Sequence, residues 1–158
     1  MGRRQPSPLR KLWFSGGSET VTDETFANLA QLGPDLQLLS ISFANNLGPR
    51  GMRAIAHLTG LDTLIIHEAR QLLTEDFVAA GQQLRQLRRL ELADCAQLYD
   101  ESVDAVAVSC PRLEELGLKR LGCVEDLSGV VASTRSLRTL RLEGMRYDIN
   151  GGCVFILI

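Results

Sequence analysis

The pattern Leu-x-x-Leu-x-apolar occurs six times in this chain of 158 residues, at intervals of 27, 25, 26, 26 and 24 residues. Its copies begin at Leu9, Leu36, Leu61, Leu87, Leu113 and Leu137. The last two apolar positions of each copy alternate with another residue, which is the period of a β-strand. A pattern repeated so regularly favours a stack of similar units, each of which begins with a short strand.

Further apolar residues recur behind each copy and indicate a helix. Pairs spaced by three residues stand sixteen and nineteen positions after the leading leucine, and they are Met52/Ile55, Phe77/Ala80 and Val103/Val106. A spacing of three is one face of a helix. Each unit is therefore predicted to contain a strand, a loop and a helix of two to three turns. One unit cannot bury both elements alone, so stacked units should form a parallel sheet with the helices outside it.

Capping and breaking residues set the expected helix limits. The first helix is predicted over about 24–32, capped by Thr22 or Asp23 and ended by Gly33-Pro34. The other predictions are 51–58 with Pro49 in the first turn, 75–84 capped by Thr74, 101–109 capped by Asp100, and a short or irregular helix over 127–133. The first strand is expected to begin at Leu9 or Arg10 and to end near Ser15.

The fourth unit has the most specific motif, with Leu87, Leu90, Leu92 and Cys95 followed by Cys110-Pro111. This motif resembles the cysteine-containing subtype of leucine-rich repeat found in F-box/leucine-rich-repeat proteins. The segment 45–51, Asn-x-Leu-Gly-x-x-Gly, resembles the ribonuclease-inhibitor subtype instead. The resemblance covers about residues 9–145 and implies an α/β leucine-rich-repeat solenoid. Such a solenoid is a right-handed βα superhelix with its parallel sheet on the concave face and short helices on the convex face.

The two ends differ from the repeats. Residues 1–8 contain two arginines and two prolines, and we expect a disordered basic tail. Residues 146–158 are expected to be an incomplete last unit or a frayed tail, with Cys153 and Ile156 at helix positions as the alternative. Because neither end has a polar cap, the chain is expected to be a segment of a longer repeat protein.

Composition and motifs exclude several classes of function. The chain is 45% hydrophobic with a net charge of −2, which favours neither nucleic acid nor an anionic membrane. No run of about 18 apolar residues predicts a membrane span. The four cysteines have no zinc-ligand spacing, and we expect Cys95 and Cys110 to be buried thiols in a reducing compartment. No phosphate loop or catalytic triad is evident. We therefore expect no enzyme activity, cofactor, metal or small-molecule substrate.

The concave face is the expected binding surface. Its N-terminal half carries Trp13, Leu38, Phe43 and Ile65, whereas its C-terminal half carries mixed charges. Apolar and aromatic residues beside charges are typical of surfaces that bind proteins. The predicted partner-contact residues are Trp13, Ile65, His67, Arg89, Glu91, Lys119 and Arg141. The alternatives are that Trp13 packs under the N-terminal tail and that Arg89, Glu91, Glu115 and Arg141 form cross-strand ion pairs only.

Two kinds of function fit this surface. The resemblance implies a protein-recognition module that binds a target, as the substrate-recognition part of an F-box ubiquitin-ligase receptor does, although no F-box helix bundle precedes Leu9. The alternative is a regulatory or scaffold repeat of the ribonuclease-inhibitor kind, or less readily a GTPase activator. Reduced cysteines and the lack of a signal sequence favour the cytoplasm, with the nucleus also open.

Overall fold

A computed structural model describes residues 9–15, 21–145 and 154–157 of the chain. Its strands are β1 Lys11–Ser15, β2 Leu38–Ser42, β3 Thr63–His67, β4 Arg89–Ala93, β5 Glu115–Lys119, β6 Thr139–Glu143 and β7 Val154–Leu157. Its helices are α1 Asp23–Ala27, α2 Pro49–Ala56, α3 Thr74–Gly81, α4 Asp100–Ser109 and α5 Ser128–Ser133. The expected basic tail at 1–8 and Cys153 lie outside the described residues.

The six repeated strands form one sheet in chain order. Each of β1 to β5 pairs in parallel with the strand that follows it. The register aligns the second leucine of every unit, so Leu64 lies opposite Leu90 and Leu90 lies opposite Leu116. Helices alternate with these strands along the chain. The predicted fold class, an α/β solenoid of the leucine-rich-repeat type, is confirmed.

The core lies between the sheet and the helices. Every predicted helix-face residue of the second to fourth units is buried, with Met52 and Ile55 at 1% and 0% exposure. Cys95 and Cys110 are buried free thiols, as predicted. Burial raises the pKa of each thiol to about 11. They therefore act as small apolar core residues and not as nucleophiles.

The helix limits were predicted in part. Pro49 does stand in the first turn of α2, and the fifth helix is short. The first helix is shorter than predicted, because α1 passes at Asn28 into a 3-10 segment that ends at Asp35. Gly33 interrupts that segment with a φ of 69°, a left-handed conformation that suits glycine.

The predicted caps Thr74 and Asp100 were wrong, because each is the first residue of its helix and bonds to the next unit instead. The Thr74 hydroxyl donates to the Gln97 carbonyl and accepts from the Tyr99 N–H, both at 3.1 Å. The Asp100 carboxylate accepts from the N–H groups of Glu125 and Asp126 at 2.6 and 3.0 Å. In these units the side chain therefore satisfies backbone donors of the following loop.

Asp23 forms three hydrogen bonds of this kind to the next unit. Its carboxylate accepts from the N–H groups of Gly48, Arg50 and Gly51 at 2.9, 2.9 and 2.7 Å. Thr22 precedes the helix, and its own N–H donates to the Thr25 hydroxyl at 3.2 Å. Asp23 thus caps the start of α2, one unit further along the chain. We call the bonds of Asp23, Thr74 and Asp100 the inter-unit caps.

Removing the first inter-unit cap should destabilise the fold. We expect Asp23→Ala to lower the free energy of unfolding by about 1–3 kcal/mol, because three N–H groups at a helix start lose an ionised acceptor. The neighbouring Glu24→Ala is the matched control, since Glu24 only forms an exposed ion pair with Arg50. Urea unfolding measures both variants. Equal losses of unfolding free energy would show that the inter-unit cap contributes no more than the exposed ion pair.

The end of the sheet departs from the repeat. β7 pairs with β6 in the antiparallel sense, so that Arg141 lies opposite Phe155 and Leu142 lies opposite Val154. The alternative prediction of a helix position for Ile156 is wrong, because Ile156 lies in this strand. The backbone of β7 thus covers the edge of β6, which an ordinary next unit would otherwise have paired in parallel.

Candidate functional site

The side chains between the core leucines form three rows across the exposed face of the sheet. The strand register gives the middle row as Trp13, Ser40, Ile65, Glu91, Gly117 and Arg141. Six strands at about 4.8 Å spacing make this row about 24 Å long. That length suits an extended segment of a protein partner.

Large apolar side chains dominate the N-terminal end of this face. Trp13 is 66% exposed and Phe43 is 47% exposed, while Leu38 and Ile65 are half-buried. The small Ser40 lies between Trp13 and Ile65 in the middle row. We call Trp13, Leu38, Phe43 and Ile65 the apolar platform. Exposed aromatic groups of this size cost free energy in water, and a partner that covers them recovers it.

The residue directly after each of β2, β3, β4 and β5 has a left-handed backbone. Phe43, Glu68, Asp94 and Arg120 have φ values of 53°, 58°, 56° and 51°. Residues other than glycine seldom adopt this conformation, and it costs about 1 kcal/mol or more at each position. The chain therefore leaves β2, β3, β4 and β5 by the same strained turn. Phe43 owes its position in the apolar platform to this turn.

Charged side chains occupy the C-terminal part of the face and pair both within a strand and between strands. The Arg89 guanidinium lies 3.1 Å from one carboxylate oxygen of Glu91 and 3.7 Å from Glu115. The other Glu91 oxygen lies 3.2 Å from Nε2 of His67. Lys119 pairs with Glu143, and Arg120 pairs with Asp94. Of the cross-strand ion pairs expected as the alternative, the pair of Arg89 with Glu115 exists, and Glu91 contacts His67 across the strands, whereas Arg141 makes no ion pair to a described residue.

Two carboxylates in this network titrate below their ordinary range. Burial opposes the ionisation of Glu91, but hydrogen bonds and charges from Arg89 and His67 outweigh it and lower the pKa of Glu91. A hydrogen bond from Arg120 is the main reason that the pKa of Asp94 is lowered. Asp76 and Asp104 on the helix side have raised pKa values, first because of burial and then because of neighbouring carboxylates.

These directions predict how acid affects stability. A carboxyl group with a lowered pKa stabilises the fold above its ordinary pKa, which is 4.5 for Glu91, and this contribution is lost as the pH falls through the folded-state pKa. We therefore expect Glu91→Gln to destabilise the protein at pH 7 and to have a smaller effect at about pH 3.5. Urea unfolding at both pH values measures the difference.

The control for that experiment is Glu114→Gln, which removes a carboxylate from the more exposed pair with Arg88. Because Asp76 and Asp104 contribute to the pH dependence with the opposite sign, the comparison is made between variants and not from the wild-type curve alone. A Glu91→Gln effect that is the same at both pH values would contradict the assigned network.

Arg141 differs from the other two arginines of this face, Arg89 and Arg120, which both have acidic partners. Within the described residues it makes no ion pair, whereas Arg89 has two acidic partners. It borders a notch left by Gly117, where an added Cβ would lie 3.3 Å from Cγ of Glu91. Arg89, Glu91, Glu115 and Thr139 also line the notch. Arg141 can therefore bind a carboxylate or carbonyl without first breaking an ion pair.

The structure places all seven predicted contact residues on one face. Trp13, Ile65, Glu91 and Arg141 share the middle row, and Arg89, His67 and Lys119 lie beside it. Their contact role stays a prediction. Sequence reasoning recognised Phe43 as part of the face but left it out of the contact set. The periodic left-handed turn that holds it gives no signal in the sequence of the second to fifth units, because Phe43, Glu68, Asp94 and Arg120 stand there and not glycine.

Two further observations limit the chemistry of the described part of the chain. It contains no group of three or more histidine, cysteine, aspartate and glutamate side chains arranged to hold a metal ion. None of its helices combines the length and the apolar character that crossing a membrane requires.

Comparison with known proteins adds a fold and one related sequence. No family model matches the chain. The DNA repair protein rhp7 of Schizosaccharomyces pombe is 26% identical over 155 residues, which cover 91% of this chain. A chain in the crystal structure of the yeast Rad7 and Elc1 complex has 18% identity and a TM-score of 0.79, again over 91% of this chain. At this identity the likeness to the solved structure shows the fold.

Both similar proteins are much longer than the part that matches. The chain spans 28% of rhp7 and 37% of the chain in the Rad7 and Elc1 complex. The similarity thus concerns one stack of repeats within larger proteins.

Proposed function

We propose that this chain is a non-enzymatic protein-recognition module that binds its partner on the concave face. One observation carries the proposal: two large aromatic side chains, Trp13 and Phe43, stand 66% and 47% exposed on a sheet whose own core is complete. Trp13 is not among the residues of the described core, so packing of that core does not account for it. Tryptophan and arginine are the commonest sources of binding energy at protein interfaces.

The face offers two kinds of contact to one partner. The apolar platform would cover an apolar side chain, and Arg141 would bind an acidic or carbonyl group about three strand spacings from Ile65, or roughly 14 Å. Arg89 and Glu91 are less suited as anchors, because their charges are already paired with each other. We therefore rank Trp13 and Arg141 above the other predicted contact residues.

We further propose that the module is the target-recognition part of a ubiquitin-ligase receptor. The cysteine-containing repeat at 87–111 supports this, as does the fold shared with a chain from a two-protein complex of Rad7 and Elc1. The similarity to a protein named for DNA repair supports a partner in that process. Free buried thiols at Cys95 and Cys110 fit the reducing cytoplasm or nucleus.

Quantitative affinity capture tests this proposal. The wild-type chain, the double variant Trp13→Ala/Arg141→Glu and the control Val131→Ala are immobilised and exposed to the same cell extract. Val131 is 56% exposed but lies on α5, away from the sheet face. We expect proteins captured by the wild type and the control to be lost from the double variant. Ligase subunits among them would support the receptor, whereas a GTPase would favour the activator alternative.

The dissociation constant of the captured partner is then measured. Purified partner should bind Trp13→Ala at least about tenfold more weakly than wild type, equivalent to about 1.4 kcal/mol. Unchanged affinity in both Trp13→Ala and Arg141→Glu, with normal thermal unfolding, would exclude the concave face as the binding surface.

A further inference from the structure

A second surface stands out once charge is mapped onto the fold. Three consecutive loops connect the helices to the strands at residues 82–88, 110–114 and 134–138. Together they carry five arginines and a single acidic residue, Glu114, although the whole chain has a net charge of −2. We call the five arginines the arginine edge, and they are Arg85, Arg88, Arg112, Arg135 and Arg138.

The backbone stacks these loops directly on one another. The Glu114 N–H donates to the Arg88 carbonyl and the Arg138 N–H donates to the Glu114 carbonyl, both at 2.8 Å. The Ser136 hydroxyl donates to the Pro111 carbonyl at 2.9 Å. Adjacent loops therefore lie about one strand spacing apart, or roughly 5 Å. The arginines, which are distant in sequence, meet on one edge of the solenoid.

Most of this positive charge is uncompensated. Arg88 pairs with Glu114 at 2.9 Å, and Arg112 donates to the neutral Gln86 side chain at 2.5 Å. Within the described residues the other four arginines make no ion pair, and all five are exposed. Four positive charges thus remain to attract an anionic group, and their planar guanidinium groups suit carboxylates well.

An apolar contact lies beside the charges. A shallow concavity at this edge is lined by Gln82, Gln83, Arg85, Val108, Ser109 and Pro111. Val108 is 69% exposed there, and Pro111 is exposed as well. A nucleic-acid backbone has no apolar group to cover Val108, and the net negative charge of the chain opposes a long polyanion. An acidic protein segment with an apolar side chain satisfies both features.

We propose that the arginine edge is a second docking surface, distinct from the concave face, that binds an acidic peptide segment of a partner protein. The segment would place carboxylates against Arg85, Arg112 and Arg138 and an apolar side chain against Val108. Because the edge and the concave face are different surfaces of one solenoid, the module can hold two protein segments at once.

Selection from a phage library of random 12-residue peptides tests the edge. We compare wild type with the triple variant Arg85→Gln, Arg112→Gln and Arg138→Gln. The matched control, Arg50→Gln, Arg53→Gln and Arg70→Gln, removes the same charge from exposed positions elsewhere. Peptides selected on the wild type and on the control should be enriched in aspartate and glutamate, and this enrichment should disappear on the edge variant.

A selected acidic peptide, labelled for fluorescence anisotropy, gives the affinity. It should bind the edge variant at least about tenfold more weakly than the control and should weaken as salt rises from about 0.1 to 1 M, where screening becomes much stronger. Trp13→Ala should leave it unchanged, which separates this test from that of the concave face. Thermal unfolding checks that each variant is folded. If the triple variant does not fold, the single variants Arg135→Gln and Arg138→Gln are compared with the control in the same way.

Two results would overturn the proposal. One is a selection without acidic enrichment on the wild type, or with equal enrichment on the edge variant. The other comes from a 20-base-pair DNA duplex used as a probe: duplex binding tighter than that of the selected peptides, and lost with the same arginines, would assign the edge to nucleic acid instead.

Discussion

Replacing Leu90 by alanine is expected to lower the free energy of unfolding by about 2–5 kcal/mol. Leu90 is fully buried in β4, in register with Leu64 on one side and Leu116 on the other. Truncation leaves a cavity between three stacked units, and the neighbouring strands cannot close it without losing register. The loss should be nearly the largest that a single truncation can cause in this chain.

Val131→Ala is the control, since it also shortens an aliphatic side chain but at a position that is 56% exposed. Its effect should stay within about 0.5 kcal/mol. Urea unfolding monitored by circular dichroism measures both variants. If Leu90→Ala were no more harmful than Val131→Ala, the stacked leucines could not be the core of the solenoid.

Gly60→Ala should have a comparably large effect for a different reason. A Cβ at Gly60 would lie 1.8 Å from the carbonyl oxygen of Pro34 and 2.9 Å from its carbonyl carbon. Both are backbone atoms of the preceding unit, so no side-chain rotation relieves the clash. The two units must move apart, and we expect a loss of about 3 kcal/mol.

Gly122→Ala provides the matched control for this variant, because a Cβ at Gly122 has no atom within 4 Å. Alanine there should be neutral, or slightly stabilising through the lower entropy of the unfolded chain. The thermal midpoints of the two variants are compared, and that of Gly60→Ala should be the lower. Equal midpoints would mean that the close approach of Gly60 to Pro34 is not a fixed feature of the fold.

The spacing of leucines was enough to predict the repeat architecture, because burial of two alternating side chains in each strand imposes the same period on every unit. The same reasoning could not assign the caps. Thr74 and Asp100 have the residue types of helix caps, but a cap for its own helix and a cap for the next unit look identical in sequence. The antiparallel β7 was missed because the leucine period stops before it.

For the candidate site, the sequence predicted which residues share the face but not their energetic ranks. Arg89 and Arg141 both stand between core leucines of their units, yet only Arg89 is held by ion pairs to described residues. That difference depends on which side chains lie across the strand, and so on the register. The arginine edge was also not recognised from the sequence. The net charge sums over the whole chain, whereas only the fold brings these five arginines together on one edge.

The inter-unit caps have a direction, since each capping side chain belongs to the earlier unit and the backbone groups that it bonds belong to the later one. A nascent chain leaves the ribosome in that same order. Every loop that emerges therefore meets a carboxylate or hydroxyl that is already in place, and assembly can follow synthesis without waiting for the carboxyl terminus.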